Sequence, residues 1–562
     1  MDIVINKKSE TKKDNSNVKF AILAVFIILV LSAVITPIVL QNDTFYTVKI
    51  GEKILENGID MKDSFSWHDL SYTYPHWLYD VITYLIYNAF GWLGVYIATA
   101  ILSCILGLTI YITNKKLTKN QLTSLILTIG VMYLGKNYIA ARAQLPTFIL
   151  FVLTIYYIEK FLETKKTGYA IGLVVIPILI ANLHVAVWPF YFILFLPYIA
   201  EYLICEFIDL ELFIRVRIIW HMIDLKLAKR EKNQDRIKSI EEKLEKEREK
   251  LLKANQLRIK RRENPYKIEM SKNKNVKFLI IIMIVCALTG FLTPLGTTPY
   301  TYLVKTMNGN TTQNINEHLP MTLINQKDIL CIIAFFIAFL MVTDVKIRLN
   351  DLLLISGLIF LLLMSRRQVS MFLFVGVLVI NRIINYFINK YDKENTKKAI
   401  KAMISLPGKI IIISLLVLVC YKIVIPKVKN NETFVDEKVY PSEASEYILE
   451  NLDLGEVKFF NEYNYGSYML YKGIPVFIDS RADLYAPEFN KGKDIFNDYI
   501  KTVGLNVFYE NTFNDYGITH VILHKNAKLN LFLTADTRYK EIYKDDYFVI
   551  HERSEYKQES SE

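Results

Sequence analysis

The stretch KFAILAVFIILVLSAVITPIVL, residues 19–40, decides the class of fold, and the polar residues QNDTFY follow it directly at 41–46. An uninterrupted apolar run of this length can cross the hydrocarbon core of a bilayer, which needs about 20 helical residues. Lysines precede it between positions 7 and 13, and it lacks the small-residue cleavage site of a signal peptide. The sequence therefore predicts a retained membrane span, with an acid, Asp43, immediately after it.

Apolar blocks recur along the rest of the chain, which has 562 residues and is 52% hydrophobic, more than one soluble domain can bury. Some of the blocks are shorter than a full span. Together with the first block they predict a polytopic α-helical membrane protein with about 11 transmembrane helices. The further blocks lie at 92–113, 122–136, 146–162, 169–182, 187–206, 277–293, 328–344, 350–364, 370–388 and 408–426.

Charge predicts the orientation of the chain. If the basic N-terminus is cytoplasmic, the even-numbered connections between blocks should be basic, and lysine or arginine clusters do occur there. We therefore expect a multi-pass plasma-membrane protein whose C-terminal part is extracytoplasmic. The formal charge of +11 fits cytoplasmic loops that lie close to anionic lipid, so no nucleic-acid partner is expected. The five cysteines all fall in apolar blocks, which excludes a disulfide framework and a zinc-type spacing.

Composition divides the chain into five predicted parts. The segment 207–275 is highly charged, with favourable Glu-to-Lys pairs four residues apart, and predicts a cytoplasmic helical hairpin. The parts are a basic cytoplasmic N-terminus (1–18), a first transmembrane module (19–206) with an outer loop (41–77), the charged insertion (207–275), a second transmembrane module (276–426) and an extracytoplasmic domain (427–562).

The last part has the composition of a soluble domain. Short apolar runs at 457–460, 476–479, 519–523 and 547–551 predict strands, and the patterns at 442–451 and 493–503 predict helices. These elements predict a C-terminal α/β domain of about 130 residues, large enough for its own core.

Polar and ionisable residues follow several blocks on the side predicted to be outside. Such residues at membrane depth are costly and tend to be functional. Guanidinium groups suit phosphate, because their planar fork donates bidentate hydrogen bonds. The sequence therefore predicts a carboxylate that faces a phosphate clamp. Besides Asp43, the residues concerned are His76, Arg142, Gln144, Asn182, His184, Glu317, His318, Arg366 and Arg367.

Each of these residues also has a structural interpretation. Asp43 can cap or solvate the end of the first span, and Arg142 can reach out to lipid headgroups. His184 can form a hydrogen bond between helices. Arg366 and Arg367 can be a topology signal, although an outer location opposes the positive-inside trend and favours an anionic partner.

Several short motifs are distinctive: Asp43, GEKIL at 51–55, DSFS at 63–66, ARAQ at 141–144, ANLH at 181–184, FNEYNYGSY at 460–468 and FIDSRADLY at 477–485. Together they resemble motifs of GT-C-fold glycosyltransferases, which include protein O-mannosyltransferases, aminoarabinose transferases and many bacterial membrane proteins. The resemblance covers most of the chain apart from the charged insertion. It implies a GT-C-like fold.

The resemblance also implies an activity, the transfer of a sugar from a polyprenyl-phosphate-linked donor to an extracytoplasmic acceptor. Asp43 matches the family's catalytic acid, Arg142, Arg366 and Arg367 would bind the donor phosphate, and the other outer residues are candidates for the substrate site. The chain lacks the family's common acidic pair, since Asp43 stands between Asn42 and Thr44. No cofactor is therefore expected, and a divalent metal has no support from a paired-acid motif.

Two other function classes remain open at this point. A transporter or flippase for a lipid-linked saccharide would use the same basic and aromatic groups, but it predicts charges in the middle of spans. A non-catalytic cell-envelope assembly protein would act through the hairpin and the C-terminal domain. In that domain, Tyr465, Asp479, Arg481 and Asp483 either bind glycan or hold turns and strand ends together.

Overall fold

A computed structural model of the chain describes residues 3–231, 233–263, 267–309, 311–429 and 434–554. Most of these residues are helical, and each apolar block predicted above contains a helix. The helices are Ile3–Ile35, Asn42–Asn57, Trp77–Thr118, Gln121–Leu134, Gln144–Thr164, Thr167–Leu183, Trp188–Ile193, Leu196–Leu210, Leu212–Arg230, Gln234–Glu263, Val276–Leu288, Thr298–Asn308, Thr311–Asn314, Lys327–Val342, Leu349–Met364, Val369–Tyr391, Lys393–Ile404, Leu406–Val419, Ile425–Lys429, Ser442–Asn451, Tyr463–Tyr471, Pro487–Asn490, Ile495–Val503, Tyr509–Tyr516 and Lys528–Ala535.

Length and apolar composition make six of the described helical segments able to cross a membrane. Four shorter apolar helical segments accompany them, at Gln121–Leu134, Thr167–Leu183, Val276–Phe291 and Leu349–Met364. The fold is thus that of a polytopic helical membrane protein. The six long segments are Ser16–Ile35, Trp77–Thr118, Gln144–Thr164, Val185–Phe207, Arg366–Tyr391 and Leu406–Lys429.

The segment after the first outer loop is one helix with a sharp break. Trp77–Thr118 is 42 residues long, and Gly91 lies inside it with φ of +61°. Only glycine adopts that left-handed conformation without strain, so the chain turns there. The part before Gly91 is too short to span a membrane by itself, and the part after it is long enough to do so.

The first outer loop contains a helix that the sequence analysis did not predict. Asn42–Asn57 begins directly at the motif with Asp43, and one of its faces is buried against the C-terminal domain. Phe45 makes edge contacts with Tyr440 and Tyr468, with ring centroids 5.0 and 5.1 Å apart. The first loop and the C-terminal domain therefore share one apolar core, in which aromatic residues of each segment pack against the other.

The C-terminal domain contains a four-stranded sheet, in the spatial order Phe459–Phe460, His520–His524, Phe548–Arg553, Tyr539–Lys544. The first pair is parallel and the other two pairs are antiparallel, with Ile522 opposite Ile550. The strand Tyr539–Lys544 was not predicted from the sequence, because its residues, YKEIYK, are mostly polar. A separate two-stranded parallel pair joins Ile268–Glu269 to Ile347–Arg348.

The run at 476–479 was predicted to be a strand, but it pairs only through an isolated bridge between Val476 and Ser66 of the first loop. Beyond the bridge, the Asn461 side chain takes the place of a neighbouring strand. Its oxygen accepts from the Phe477 amide at 2.8 Å, and its nitrogen donates to the Ile478 carbonyl at 2.7 Å. Local pattern cannot reveal such a substitution, since it depends on a side chain 16 residues away.

The charged insertion forms a two-helix hairpin in which Leu212–Arg230 packs against Gln234–Glu263. Ile240 and Leu244 of the second helix are buried. Glu211, immediately before the hairpin, has a left-handed φ of +45°. The chain therefore changes direction between the last span of the first module and the hairpin.

A buried network of charges joins three transmembrane helices at the end away from the first loop. The Arg348 guanidinium donates to Glu159 at 2.7 Å and to Asp351 at 2.8 Å, and Arg382 also pairs with Asp351. Glu159 lies fifteen residues along its helix from Gln144, or about 22 Å at helical rise. These charges are paired with one another, so they bind helices together.

Candidate functional site

A cavity of about 820 Å³ lies where the first outer loop, the C-terminal domain and several helix ends meet. Its walls come from parts of the sequence more than 400 residues apart, because the C-terminal domain covers the ends of the spans. The residues predicted from the sequence that line it are Asp43, His76, Arg142, Gln144, His184, Glu317, His318, Arg367, Arg481 and Asp483.

The polar end of the cavity is built around Arg142. Asp43, in the first turn of Asn42–Asn57, forms an ion pair with the Arg142 guanidinium, and Glu317 lies 3.5 Å from Nη1. Burial lowers the pKa of Arg142, but the two carboxylates outweigh it and hold the pKa above its usual value. The guanidinium therefore stays charged, and among the described residues its Nε is buried without a hydrogen-bond partner.

A second arginine lies on the same wall. When the Gln144 amide oxygen faces Arg367, it accepts from Nη2 at 2.5 Å and from Nε at 3.0 Å. The Arg367 amide donates to the Glu317 carbonyl at 2.9 Å, which fixes the backbone beside the Arg142 cluster. Arg367 lies in the single-turn helix Arg366–Gln368, which connects the helices Leu349–Met364 and Val369–Tyr391.

Arg366 lies in an adjoining smaller cavity of about 210 Å³, which shares Arg142, Gln144 and Arg367 with the larger one. Its carbonyl accepts from the Tyr138 hydroxyl at 3.0 Å. Its Nε is buried without a partner in the described part of the chain. The three arginines predicted to bind phosphate thus border two adjoining cavities.

A hydrogen-bonded chain that the sequence analysis missed leads into the cavity. The fully buried carboxylate of Asp80 lies 2.8 and 2.9 Å from His76 Nδ1, and His76 Nε2 lies 3.2 Å from the Tyr46 hydroxyl. Tyr46 is one turn after Asp43 on the same helix. Burial, with further contributions from Asp43 and Asp80, raises the pKa of Tyr46 well above its usual value, so the phenol is protonated. The spacing of four residues between His76 and Asp80 was the available sequence signal.

Two histidines border the cavity from other elements. His184 ends the helix Thr167–Leu183, is 4% exposed, and its Nδ1 has no partner among the described side chains. Its ring centroid is 6.3 Å from that of His76. Burial lowers the pKa of His318 to about 4, and Arg367 acts in the same direction. His318 is therefore neutral at physiological pH.

The wall towards the spans is apolar. Phe190 and Ile193 line it from one helix, and Leu361 and Met364 from another. Met364 is 51% exposed at the end of its helix, so this wall presents accessible apolar surface. The cavity thus has both charged and apolar walls.

Arg481 lines the cavity but is committed to an internal clamp. Its side chain donates to Asp479 at 2.6 and 2.9 Å and to Asp63 of the first loop at 2.7 Å. Burial lowers the pKa of Arg481, yet the carboxylates hold it well above its usual value. For the Asp63 carboxyl, burial acts to raise the pKa. The interactions with Arg481 and Ser66 outweigh burial, so the pKa of Asp63 is below its usual value. The clamp ties the first loop to the C-terminal domain.

Asp483 is held from the opposite side of the cavity. Its carboxylate accepts from the hydroxyls of Tyr302 at 2.9 Å, Thr306 at 3.2 Å and Thr311 at 3.4 Å. Burial raises its pKa above the usual value, although these hydrogen bonds oppose the shift. Asp483 therefore docks the C-terminal domain onto the helices Thr298–Asn308 and Thr311–Asn314.

Three residues predicted from the sequence lie outside the lining of both cavities. Asn182 accepts from the Trp77 indole at 3.2 Å and donates to the Leu292 carbonyl at 3.0 Å, which joins three segments. Tyr465 is buried and donates to the Ile522 carbonyl at 2.8 Å within the C-terminal domain. Asp479 belongs to the Arg481 clamp. Within the described residues, no group of three or more His, Cys, Asp or Glu side chains is placed to hold a metal ion.

No protein-family model matches the chain, and no curated protein matches it by sequence. Among solved structures it is similar to the crystal structure of ArnT from Cupriavidus metallidurans bound to undecaprenyl phosphate. The two share 10% sequence identity over 95% of this chain and 97% of that chain, with a TM-score of 0.47. At this level of similarity, the chemistry of the cavity has to be judged from its own side chains.

Proposed function

We propose that the chain is a membrane glycosyltransferase of the GT-C type, which transfers a sugar from a polyprenyl-phosphate donor to an acceptor outside the cytoplasm. The observation that carries the proposal is the Asp43–Arg142 pair in the lining of a cavity that also has an apolar wall. A polyprenyl-phosphate sugar has the same division, with an anionic centre beside a long apolar chain.

The proposed reaction is a single displacement with inversion. The acceptor hydroxyl oxygen bonds to the anomeric carbon while the bond from that carbon to the phosphate oxygen breaks. The hydroxyl proton passes to Asp43, and the polyprenyl phosphate leaves with the bonding electron pair. Positioned general bases of this kind contribute about 10² to 10⁴-fold to a rate.

Arg142 and Arg367 would stabilise the charge that collects on the leaving phosphate. Arg142 has a buried Nε free of protein hydrogen bonds in the described structure, and Gln144 fixes the plane of Arg367. Preorganised donors aimed at developing charge are often the largest contribution to catalysis. The ion pair with Arg142 also fixes where the Asp43 carboxylate lies.

Tyr46 would present its hydroxyl oxygen to the acceptor. If His76 carries its proton on Nδ1, facing Asp80, then Nε2 accepts the Tyr46 proton and the phenol oxygen is left as an acceptor towards the cavity. This arrangement orients a sugar hydroxyl without adding charge.

The test is a donor assay in proteoliposomes that contain the purified full chain. A panel of polyprenyl-phosphate sugars is supplied, and release of free polyprenyl phosphate is measured by mass spectrometry, because every acceptor yields that product. We expect Asp43→Asn to lower release by about 10² to 10⁴-fold. Asp69→Asn is the matched control, because this exposed acid lies in the same loop away from the cavity.

Two results would overturn the proposal. If the Asp43→Asn variant released polyprenyl phosphate as fast as the parent, Asp43 would not be the catalytic base. Movement of the intact lipid-linked sugar across the bilayer without bond cleavage would instead identify a transporter. Binding of undecaprenyl phosphate is measured separately. A loss of binding in the Arg142→Gln variant identifies a defect in the donor site, as distinct from a defect in the base.

A further inference from the structure

The first helix of the charged hairpin carries an unusual apolar stripe. Within Leu212–Arg230, the side chains of Phe213, Val216, Trp220, Ile223 and Leu227 are between 47% and 78% exposed. Their spacing alternates between three and four residues, so at 100° per residue they cover an arc of about 80° on one face. Exposed aromatic and aliphatic side chains in one continuous stripe indicate a surface that is covered in the membrane-embedded protein.

The other helix of the hairpin does not cover this stripe. Gln234–Glu263 packs on a neighbouring face, where Ala228 is fully buried and where Arg217 and Lys229 lie within 4 Å of Glu247 and Glu241. The two faces are adjacent but distinct on the helix. The stripe therefore remains open after the hairpin has formed.

The stripe begins shortly after a candidate membrane span. The span Val185–Phe207 ends six residues before Phe213, which at helical rise is about 9 Å. The left-handed residue Glu211 turns the chain between the two helices, so the hairpin does not simply extend the span. If Val185–Phe207 crosses the bilayer, this distance puts Phe213 within the depth of the lipid headgroups and interface.

The charges beside the stripe decide which surface covers it. Arg215, Lys226 and Arg230 are exposed and lie along its open flank. Lysine and arginine next to an apolar stripe with tryptophan are typical of helices that lie in the interface of an anionic bilayer. A second copy of the same helix would bring these cations together, which is unfavourable.

We propose that Leu212–Arg230 lies in the plane of the anionic membrane surface, with the stripe from Phe213 to Leu227 inserted among the lipids. The cations on its flank bind acidic headgroups. The helix thereby anchors the hairpin flat against the bilayer and leaves the charged helix Gln234–Glu263 facing water. This inference is independent of the proposed transfer reaction.

The experiment uses the full chain with its five cysteines replaced by alanine or serine, reconstituted in vesicles. A single cysteine at position 220 (Trp220→Cys) is labelled with an environment-sensitive fluorophore, and Val216→Cys provides a second site on the stripe. Lys246→Cys, exposed on the other helix of the hairpin, is the matched control. Quenching by aqueous iodide is compared with quenching by a nitroxide carried on the lipid chains.

We expect labels at 216 and 220 to be quenched by the lipid nitroxide and shielded from iodide, and the label at 246 to show the reverse. Shielding should increase as phosphatidylglycerol replaces phosphatidylcholine. Replacing Arg215, Lys226 and Arg230 by glutamine should weaken that preference by about fivefold per charge.

Two outcomes contradict the inference. Iodide quenching at 216 and 220 equal to that at 246 would place the stripe in water. Efficient cross-linking of Trp220→Cys between copies, together with shielding that is the same in detergent and in both kinds of vesicle, would show that a second copy covers the stripe.

Discussion

Arg481 and Arg142 illustrate two uses of the same chemistry, an arginine between two carboxylates. Arg481 donates from Nε and from both terminal nitrogens to Asp63 and Asp479, and its side chain is 2% exposed. Arg142 pairs with Asp43 and more loosely with Glu317, is 25% exposed, and keeps a buried Nε without a partner among the described residues. The first arrangement is saturated, whereas the second leaves one donor unused in a side chain that lines a cavity.

This difference separates structural charges from charges available to a ligand. A saturated buried ion pair has no capacity left for a substrate, and its removal leaves unpaired charges. An unsaturated one that borders a cavity can bind an anion by completing its hydrogen bonds. The Glu159 network at the other end of the spans lies between the two cases. Arg348 and Arg382 pair with Glu159 and Asp351, but Arg382 Nη1 lies 3.5 Å from Glu159 and is buried without a hydrogen-bond partner among the described residues.

The largest effect on stability is expected when the saturated cluster is broken. Arg481→Leu should lower the stability of the fold by about 3–5 kcal/mol, because Asp63 and Asp479 would remain buried without their partner. The measurement is the apparent melting temperature in detergent. Arg142→Leu should have a much smaller effect, since its cluster borders a cavity. Equal losses for the two variants would remove the distinction between the clusters.

A conservative change tests the unsaturated cluster. Arg142→Lys keeps the charge but loses the planar fork, so under the proposed function sugar transfer should fall by about 10- to 100-fold, as expected for a lost hydrogen bond to a charged group. The melting temperature should stay close to that of the parent. Initial rates of polyprenyl phosphate release provide the readout, and an unchanged rate would show that bidentate binding by Arg142 is not needed.

Close packing behind the clamp gives a third test. A Cβ at Gly466 would overlap the Ile478 carbonyl oxygen and lie 2.9 Å from the Asp479 Cα. Gly466→Ala should therefore destabilise the protein by about 1–3 kcal/mol through overpacking. Gly168→Ala is the control, because a Cβ at that helical position meets no atom within 4 Å. Similar melting temperatures for both variants would contradict the close approach at the clamp.

The smallest expected effect is a pH dependence of stability that comes from His68 in the first loop. Burial lowers the pKa of His68 to about 4, although the hydrogen bond to the Phe477 carbonyl acts in the opposite direction. Since the folded-state pKa is below the unfolded value, the unfolded chain takes up the proton first. Stability is then lost as the pH falls from about 6.5 to about 4, by about 1–2 kcal/mol between pH 7 and pH 5.

His68→Gln should remove that part of the pH dependence while keeping a hydrogen-bond donor for the Phe477 carbonyl. His221→Gln, on the hairpin, is the control and should leave the parent's pH profile unchanged. Melting temperatures measured from pH 7.5 to pH 5 give the slope for each variant. A slope in the His68 variant as steep as in the parent would assign the dependence to other groups.

The sequence by itself determined that the chain is a helical membrane protein with a C-terminal α/β domain. Both conclusions rest on local pattern, since a span needs about 20 apolar residues in succession and a strand shows in a short β-branched or aromatic run. Asp43, Arg142 and Arg367 could be singled out for the same reason, because charged residues at the ends of apolar blocks are conspicuous.

Only the tertiary structure decided which of those charges are available to a ligand. Arg481 and Arg142 look alike in sequence, and their difference depends on Asp63 and Asp479, which are 418 and 2 residues from Arg481. The chain from Asp80 through His76 to Tyr46 and the docking of Asp483 likewise depend on contacts between distant segments. Periodicity reports which face of an element is apolar, whereas hydrogen-bond saturation depends on partners that folding brings together.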